Sequence, residues 1–370
     1  MLKVRPNKIL FDPKIFYLQK YGGISKYIVE LVQNLDKTKF DPKIIAPIYI
    51  NEYLRKVSSV NKKTFYKISK HPRFTRKIST IINDNIFNLF ANLEKPKIIH
   101  STYYEKINYK KKTGLVVSVY DLIHEIFEKK FYNNYVKTIK QKSLNLADRI
   151  ICISNSTRND LLKYYDVDEK KISVIYLGQE TNKNIEVIED NFLKVPYLLY
   201  VGDRRKYKNF INFVEAYSIS KILKNNFNIV CFGNENFNKI EIEFFKKKKI
   251  DLNKIKFYSG NSNNLNYIYK KAALYICPSL YEGFGLTILE AMNMDCPIIA
   301  SDKGSIIEVG KDIIDYFDPY SPEDIAKRIE KLIFDEERKI NMINRYQEHL
   351  SNFLWKKTAS QTEKVYEEIL

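Results

Sequence analysis

Short, continuously apolar segments alternate with longer amphipathic stretches along the whole of this 370-residue chain, and that alternation restricts the fold more than any other feature. In the first half the runs are KILF (8–11), KIIAPI (43–48), KIIH (97–100), LVVSVY (115–120), RIICIS (149–154) and SVIY (173–176). In the second half they are YLLYVG (197–202), NIVCFG (228–233), IKFYSG (255–260), LYICPS (274–279), PIIAS (297–301) and DYFD (315–318). A strand that is apolar on both faces is covered on both faces, as in a parallel sheet flanked by helices. Two successive sets of such β-α units predict an α/β protein of two Rossmann-like, doubly wound domains, which the length also suits. Residues 178–196 are polar, lack a long apolar period and end in Pro196, which places a linker at 179–196 between domains at 1–178 and 197–352. The basic stretch 51–80 interrupts the alternation and reads as a loop with a short helix.

Composition narrows the function classes. Hydrophobic residues make up 45% and charged residues 29%, which is globular and excludes a mainly disordered chain. Cys152, Cys231, Cys277 and Cys296 are far apart and lie in or beside apolar runs, as expected of reduced core thiols. The first residues form no apolar stretch of signal-peptide length, and no run of 18 apolar residues occurs, so a cytoplasmic protein is expected. The net charge is +18, and residues 1–185 carry all of it, with 35 Lys and Arg against 17 Asp and Glu. Residues 186–370 hold 27 of each sign. The first half therefore faces an anionic partner or surface. Lysines at 62–63, 110–112 and 129–130 adjoin Phe65, Tyr66, Tyr109, Phe131 and Tyr132, a pattern suited to peripheral contact with an anionic membrane at its inner face.

Several common motifs are missing. There is no G-x-x-x-x-G-K-[ST] loop, no complete G-x-G-x-x-G and no G-x-S-x-G elbow. His124-Glu125 opens H-E-x-x-E instead of H-E-x-x-H, and with four histidines in all no metal site is expected. The most informative segment is 279–302, SLYEGFGLTILEAMNMDCPIIASD. A strand ends, Gly283-Phe284-Gly285 makes a turn in which glycines allow close backbone approach, and a helix begins. The N–H groups of Gly285, Leu286 and Thr287 at its start suit a phosphate. Glu282 and Glu290, eight residues apart, can grip two ends of a polyhydroxylated ligand. An anion site flanked by hydroxyl-binding carboxylates describes a nucleotide sugar. Taken alone, the two glutamates also fit a helix-dipole contact for Glu282 and a solvated Glu290.

The segment EGFGLTILE resembles the E-x7-E signature of retaining glycosyltransferases of the family 4 type, which have the GT-B fold of two Rossmann-like domains facing across a cleft. YVGDRRKYKNF (200–210) resembles that family's basic phosphate motif, in the style of mannosyl- and rhamnosyl-type members, and YGGISKYIVEL (21–31) its glycine loop. Residues 154–178 resemble the end of its acceptor domain, and SDKGSIIEVGKD (301–312) the segment after E-x7-E. The matches occur in family order over nearly the whole chain. The resemblance implies that Arg204 and Lys208 stabilise the departing nucleoside diphosphate without a metal. Chemically, an Arg fork and a Lys point charge suit the charge that grows there. Arg205 and Lys206 are adjacent and read as solvated. By the same resemblance Glu290 binds the ribose, Glu282 a hydroxyl of the transferred sugar, and Gly22 and Gly23 close over the pyrophosphate. Residues 353–370 are expected to pack back on the first domain. Where the family often has His-Asp this chain has Tyr120-Asp121, which leaves Asp121 to orient the acceptor hydroxyl. His100, Tyr103 and His124 are weaker acceptor candidates.

The sequence thus predicts a metal-independent retaining hexosyltransferase, with GDP-mannose as the first donor and a glycan or lipid-linked acceptor of surface polysaccharide synthesis. Two alternatives stay open. One is a nucleotide-sugar epimerase of GT-B fold. The other is a basic nucleic-acid-binding or DNA-modifying protein, although no nucleic-acid motif is present.

Overall fold

The computed structural model describes residues 5–69, 76–104, 112–127, 135–179, 183–204 and 206–370. The chain forms two compact units, Met1–Gly178 together with Phe353–Leu370, and Gln179–Asn352.

Unit 1 is built on β1 (Asn7–Phe11), β2 (Phe40–Ile45), β4 (Lys62–Lys63), β6 (Ile98–Ser101), β7 (Gly114–Val119), β8 (Arg149–Cys152) and β9 (Ile172–Val174). They form one sheet in the order β4-β2-β1-β6-β7-β8-β9, and every pairing is parallel. A separate parallel pair joins β3 (Ile48–Tyr49) to β5 (Tyr66–Lys67). Unit 2 carries β10 (Tyr197–Val201), β11 (Asn228–Phe232), β12 (Ile255–Tyr258), β13 (Leu274–Cys277), β14 (Ile298–Ser301) and β15 (Asp315–Phe317). Its order is β12-β11-β10-β13-β14-β15, again parallel throughout. The twelve apolar runs of the sequence fall on β1, β2 and β6 to β15. Their continuous hydrophobicity has the expected cause, since strands such as β11 and β13 are buried along their whole length. All four cysteines are buried and free.

Residues 51–80 differ from the expected loop with a short helix. They hold two single turns, Tyr53–Lys56 and Ser59–Asn61, and the short strands β4 and β5. The helix Arg76–Glu94 then runs for 19 residues, because the apolar spacing continues well past residue 80 and buries Phe87 in the core. Lys110, Lys111, Lys129, Lys130, Tyr109, Phe131, Tyr132 and Arg205 lie outside the described residues. Phe65 and Tyr66 are largely exposed. Among the described residues no helix is long and apolar enough to cross a membrane. The segment after Gly178 runs along unit 2, where the Asn184 carbonyl accepts from Asn266 and Asp190 pairs with Lys256 at 2.6 Å.

The helix Trp355–Glu367 returns to unit 1 and packs on the helix Gly23–Asn34. Where the chain passes Trp355, a Cβ on Gly178 would stand 2.3 Å from the Trp355 backbone nitrogen, so only glycine fits. His100 fastens the same helix from inside. Its Nδ1 meets the Tyr366 hydroxyl at 2.6 Å and its Nε2 the Ser118 hydroxyl at 2.8 Å, with Tyr27 next to Ser118. This corrects the acceptor reading of His100. The ring has no exposure, and both nitrogens are engaged within the core.

Burial holds the His100 imidazole neutral, with its pKa lowered from 6.5 to about 3. Above pH 6.5 folded and unfolded chains both carry it neutral, and its contribution is complete. Between there and about 3 the unfolded chain binds a proton that the folded chain refuses, so stability falls as pH falls. The unfolding free energy of the wild type should therefore drop relative to a His100→Gln variant by up to about 1.4 kcal/mol per pH unit. Urea unfolding of both proteins at pH 7, 6 and 5 measures the difference, and a constant gap would contradict it.

Candidate functional site

β10 is the switch point of unit 2, because the chain goes on to β11 on one side of it and to β13 on the other. Ligands of doubly wound sheets bind in the crevice at such a point, outside the carboxyl ends of the strands. Two segments meet there, residues 203–209 after β10 and 278–285 after β13. The Leu280 N–H donates to the Tyr207 carbonyl at 2.8 Å and ties them by backbone. Side chains close the same junction. Lys208 Nζ donates to both carboxylate oxygens of Glu282, at 2.6 and 2.8 Å. Ser279 Oγ adds a bond to Glu282 at 2.7 Å, and Ser305 Oγ one to the Glu282 carbonyl at 2.6 Å. Burial disfavours the Lys208 ammonium, but the Glu282 carboxylate outweighs it and holds the pKa above the ordinary lysine value.

Glu282 is followed by the turn that the glycines require. Gly285 caps the helix Leu286–Asn293 with φ 109° and ψ 43°, in the region that side chains other than glycine rarely enter. Phe284 is buried beneath the turn and Gly283 is half-buried. The open N–H groups at the helix start, including those of Leu286 and Thr287, point outward along the helix axis. Glu290 is half-buried one turn further on. Its charge acts on the buried phenol of Tyr269, which burial foremost pushes to a high pKa. Tyr269 in turn donates to the Thr287 carbonyl at 3.3 Å.

Arg204 goes the other way. Its Nε and Nη2 donate to the two Glu241 oxygens at 2.6 and 3.2 Å, and Nη2 also reaches the Asn236 carbonyl at 2.9 Å. The guanidinium stands 4.9 to 5.8 Å from the ring centres of Phe210, Phe237 and Phe257, a cation–π cage on the β11–β12 side. Burial opposes its charge and Glu241 more than compensates, which raises the pKa. The two basic residues of one motif thus flank β10 on opposite sides. Glu241 itself is fixed by a reciprocal cap with Asn238. Nothing in the local pattern signals Glu241, which lies 37 residues from its partner. Ser279, three residues before Glu282, was equally silent.

In unit 1, Gly22 precedes the helix Gly23–Asn34, whose first turn is capped by Gln19 through a bond from the Ser25 N–H. Asp121 is half-buried after β7, and its carboxylate accepts the Ile123 N–H at 3.2 Å. His124 is half-buried in the single turn Ile123–Ile126. The loop is held from below by an ion pair with no exposed side-chain surface. Lys140 Nζ bonds Glu125 at 2.9 Å and the Asp121 carbonyl at 2.9 Å, and lies 4.7 Å from the centre of the Tyr104 ring. Tyr165 completes the Glu125 shell. Tyr103 is half-buried and packs against Tyr104 and Tyr120. Tyr120 is itself internal, with its hydroxyl donated to the Thr102 carbonyl at 3.0 Å.

The two parallel-sheet α/β units have the GT-B fold of glycosyltransferases, as the following matches show. Residues 21–183 match the family described as Glycosyltransferase Family 4, and residues 181–349 match Glycosyl transferases group 1. The chain carries these two domains in that order and is a glycosyltransferase. An uncharacterised glycosyltransferase of Methanocaldococcus jannaschii is 27% identical over 99% of this chain and 100% of its own length. An O-antigen chain mannosyltransferase of Salmonella typhimurium is 28% identical over 57% of this chain and 59% of its own. Among solved structures, sucrose-phosphate synthase of Thermosynechococcus elongatus superposes with a TM-score of 0.78 at 16% identity, covering 99% of both chains.

The turn at Gly285 offers a direct check. A side chain there would hold φ 109° at a cost of roughly 1–3 kcal/mol. Gly285→Ala should lower the unfolding free energy by that amount in urea, and an unchanged midpoint would show that the turn relaxes freely.

Proposed function

We propose that the chain is a retaining hexosyltransferase of surface polysaccharide synthesis. It moves a sugar from a nucleotide donor to a hydroxyl of a glycan or lipid-linked acceptor. GDP-mannose is the first donor proposed, supported by the basic motif at 200–210 and by the mannosyltransferase named among the relatives. The observation that carries the reading is the Lys208–Glu282 pair beside the Gly285 helix start, because it unites a cation, a fixed carboxylate and open N–H groups at one switch point.

In this reading the helix start and Lys208 bind the diphosphate. The bond from the anomeric carbon to the diphosphate oxygen breaks, and the charge left on that oxygen is met by the Lys208 ammonium. Glu282, steadied by Ser279, accepts a hydroxyl of the departing sugar, and Glu290 accepts the ribose hydroxyls. The acceptor hydroxyl attacks from the leaving-group side, and its proton passes to the β-phosphate oxygen as the new glycosidic bond forms. Asp121 orients that hydroxyl. Arg204, whose fork is taken by Glu241, serves as a brace for the loop after β10 instead of a direct phosphate ligand. No metal is required, because Lys208 supplies the positive charge. The basic first half draws the enzyme to an anionic, membrane-borne acceptor at the cytoplasmic face.

Thermal unfolding with GDP, UDP, dTDP and their sugars identifies the donor, since a ligand at 100-fold its Kd adds about 2.7 kcal/mol. Absence of any shift overturns the proposal, and so does an inverted anomeric centre in the product by NMR. Lys208→Ala should lower kcat/KM roughly 100- to 1000-fold, whereas Glu290→Ala should chiefly weaken nucleoside-diphosphate binding. Steady-state kinetics and calorimetry separate the two. Activity should persist in EDTA, and loss restored by Mg²⁺ or Mn²⁺ would refute metal independence.

A further inference from the structure

Among the described residues, Lys95, Asn209, Lys249, Asp295 and Lys311 are the non-glycine residues with a positive φ. Lys95, Lys249, Asp295 and Lys311 lie just past the end of a helix, where a residue of positive φ commonly ends one, and none of them is buried. Asn209 differs on both counts. It is 7% exposed, and it opens the helix Phe210–Ile219 with φ 57° and ψ 26°. A residue in that place normally has extended backbone and accepts a helix N–H through its side chain. Asn209 does neither.

Its amide is turned to another loop. Asn209 Nδ2 donates to the Pro319 carbonyl at 2.7 Å, and Asn212 Nδ2 donates to the same oxygen at 3.0 Å, which takes up both lone pairs. Pro319 follows β15, and β13 and β14 lie between that strand and β10. The loops of the intervening strands are tied in turn. The Asp302 N–H, after β14, donates to the Phe317 carbonyl at 3.1 Å, and Ser305 Oγ reaches the Glu282 carbonyl, after β13, at 2.6 Å. The Leu280–Tyr207 bond then leads back to the loop after β10. The loops at the carboxyl ends of β10, β13, β14 and β15 thus form a closed circuit, and Asn209 closes it one residue from Lys208.

Asparagine meets both demands of this position. It enters the left-handed region more readily than most side chains. It also supplies a donor, which glycine lacks and aspartate replaces with an acceptor. A lysine carries its charge on a flexible four-carbon stem, so the ammonium has a defined place only where the backbone beneath it is fixed.

We propose that Asn209 is a positioning residue for the transfer reaction: by its left-handed turn and its bond to Pro319 it holds the Lys208 ammonium against Glu282, at the place where charge grows on the departing diphosphate. The part that concerns the diphosphate rests on the reading of Lys208 given above. The hold on Lys208 is a property of unit 2 alone.

Acetylation of the full chain with limiting acetic anhydride at pH 8, read residue by residue by mass spectrometry, follows the Lys208 ammonium without any substrate. Gripped by both Glu282 oxygens, Lys208 should react at least tenfold more slowly than the exposed Lys206. Asn209→Gly keeps the turn and removes the bond, and Asn209→Asp keeps the size but turns an acceptor to the carbonyl. Each should speed Lys208 at least fivefold and leave Lys206 unchanged, with a cooperative urea transition showing that the variant is folded. An unchanged Lys208 rate in either folded variant overturns the proposal. Calorimetry with GDP, UDP and dTDP reads the diphosphate end. The nucleotide that binds best should lose at least fivefold in affinity in Asn209→Gly, and nothing further when the same change is made in Lys208→Ala. An equal loss in both backgrounds would give Asn209 a role in the fold alone and overturn the proposal. If a nucleotide binds the wild type and Lys208 labelling does not respond, the positioning role falls and the transferase reading stands. If labelling responds and none of the nucleotides binds, the transferase reading falls and the hold on Lys208 stands.

Discussion

The Lys208–Glu282 ion pair joins loops from two neighbouring strands that diverge in sequence, and the geometry of the crevice at the switch point of unit 2 depends on it. Neither loop is regular structure, so backbone propensity alone would leave each with many conformations. The Tyr207–Leu280 backbone bond sets their spacing, and the ion pair sets which side chains face the crevice. A half-buried charged pair of this kind gives little net stability, since desolvation offsets much of the attraction. What it gives is placement: a cation and a carboxylate are held at fixed positions beside the crevice.

The same device recurs twice, each time at the carboxyl end of a strand. Arg204–Glu241 closes the far side of β10 with three aromatic rings around the guanidinium. Lys140–Glu125 holds the loop after β7 by bonding a carboxylate and a backbone carbonyl at once. In both pairs, loss of one partner strands a charge away from water. The loops therefore tolerate substitution at their tips far better than at these anchors.

How much of this was legible in the sequence follows from the range of the interactions concerned. Strands such as LYIC and NIVCF announce themselves because burial on both faces writes apolar residues at every position. The Gly283–Gly285 turn and its helix were equally plain, since the constraint acts within a few residues. β4 and β5, two residues each, carry no period to detect. The extent of the helix Arg76–Glu94 was hidden by the basic residues that precede it. Arg204 and Lys208 look alike in sequence and diverge only because Glu241 and Glu282 stand on different sides of β10. His100 ends a strand as an active-site histidine would, and only the return of Tyr366 from the far end of the chain shows that it is enclosed.

That return has a consequence for synthesis. Residues 179–352 form an uninterrupted unit that can close as soon as it leaves the ribosome. Unit 1 cannot, although most of it is made first, because the core around His100, Tyr27 and Gly178 is covered by residues 353–370. During translation its sheet must wait, with one flank bare, while the second unit is made and folds. The covering of unit 1 is therefore completed last, by residues made after the whole of unit 2.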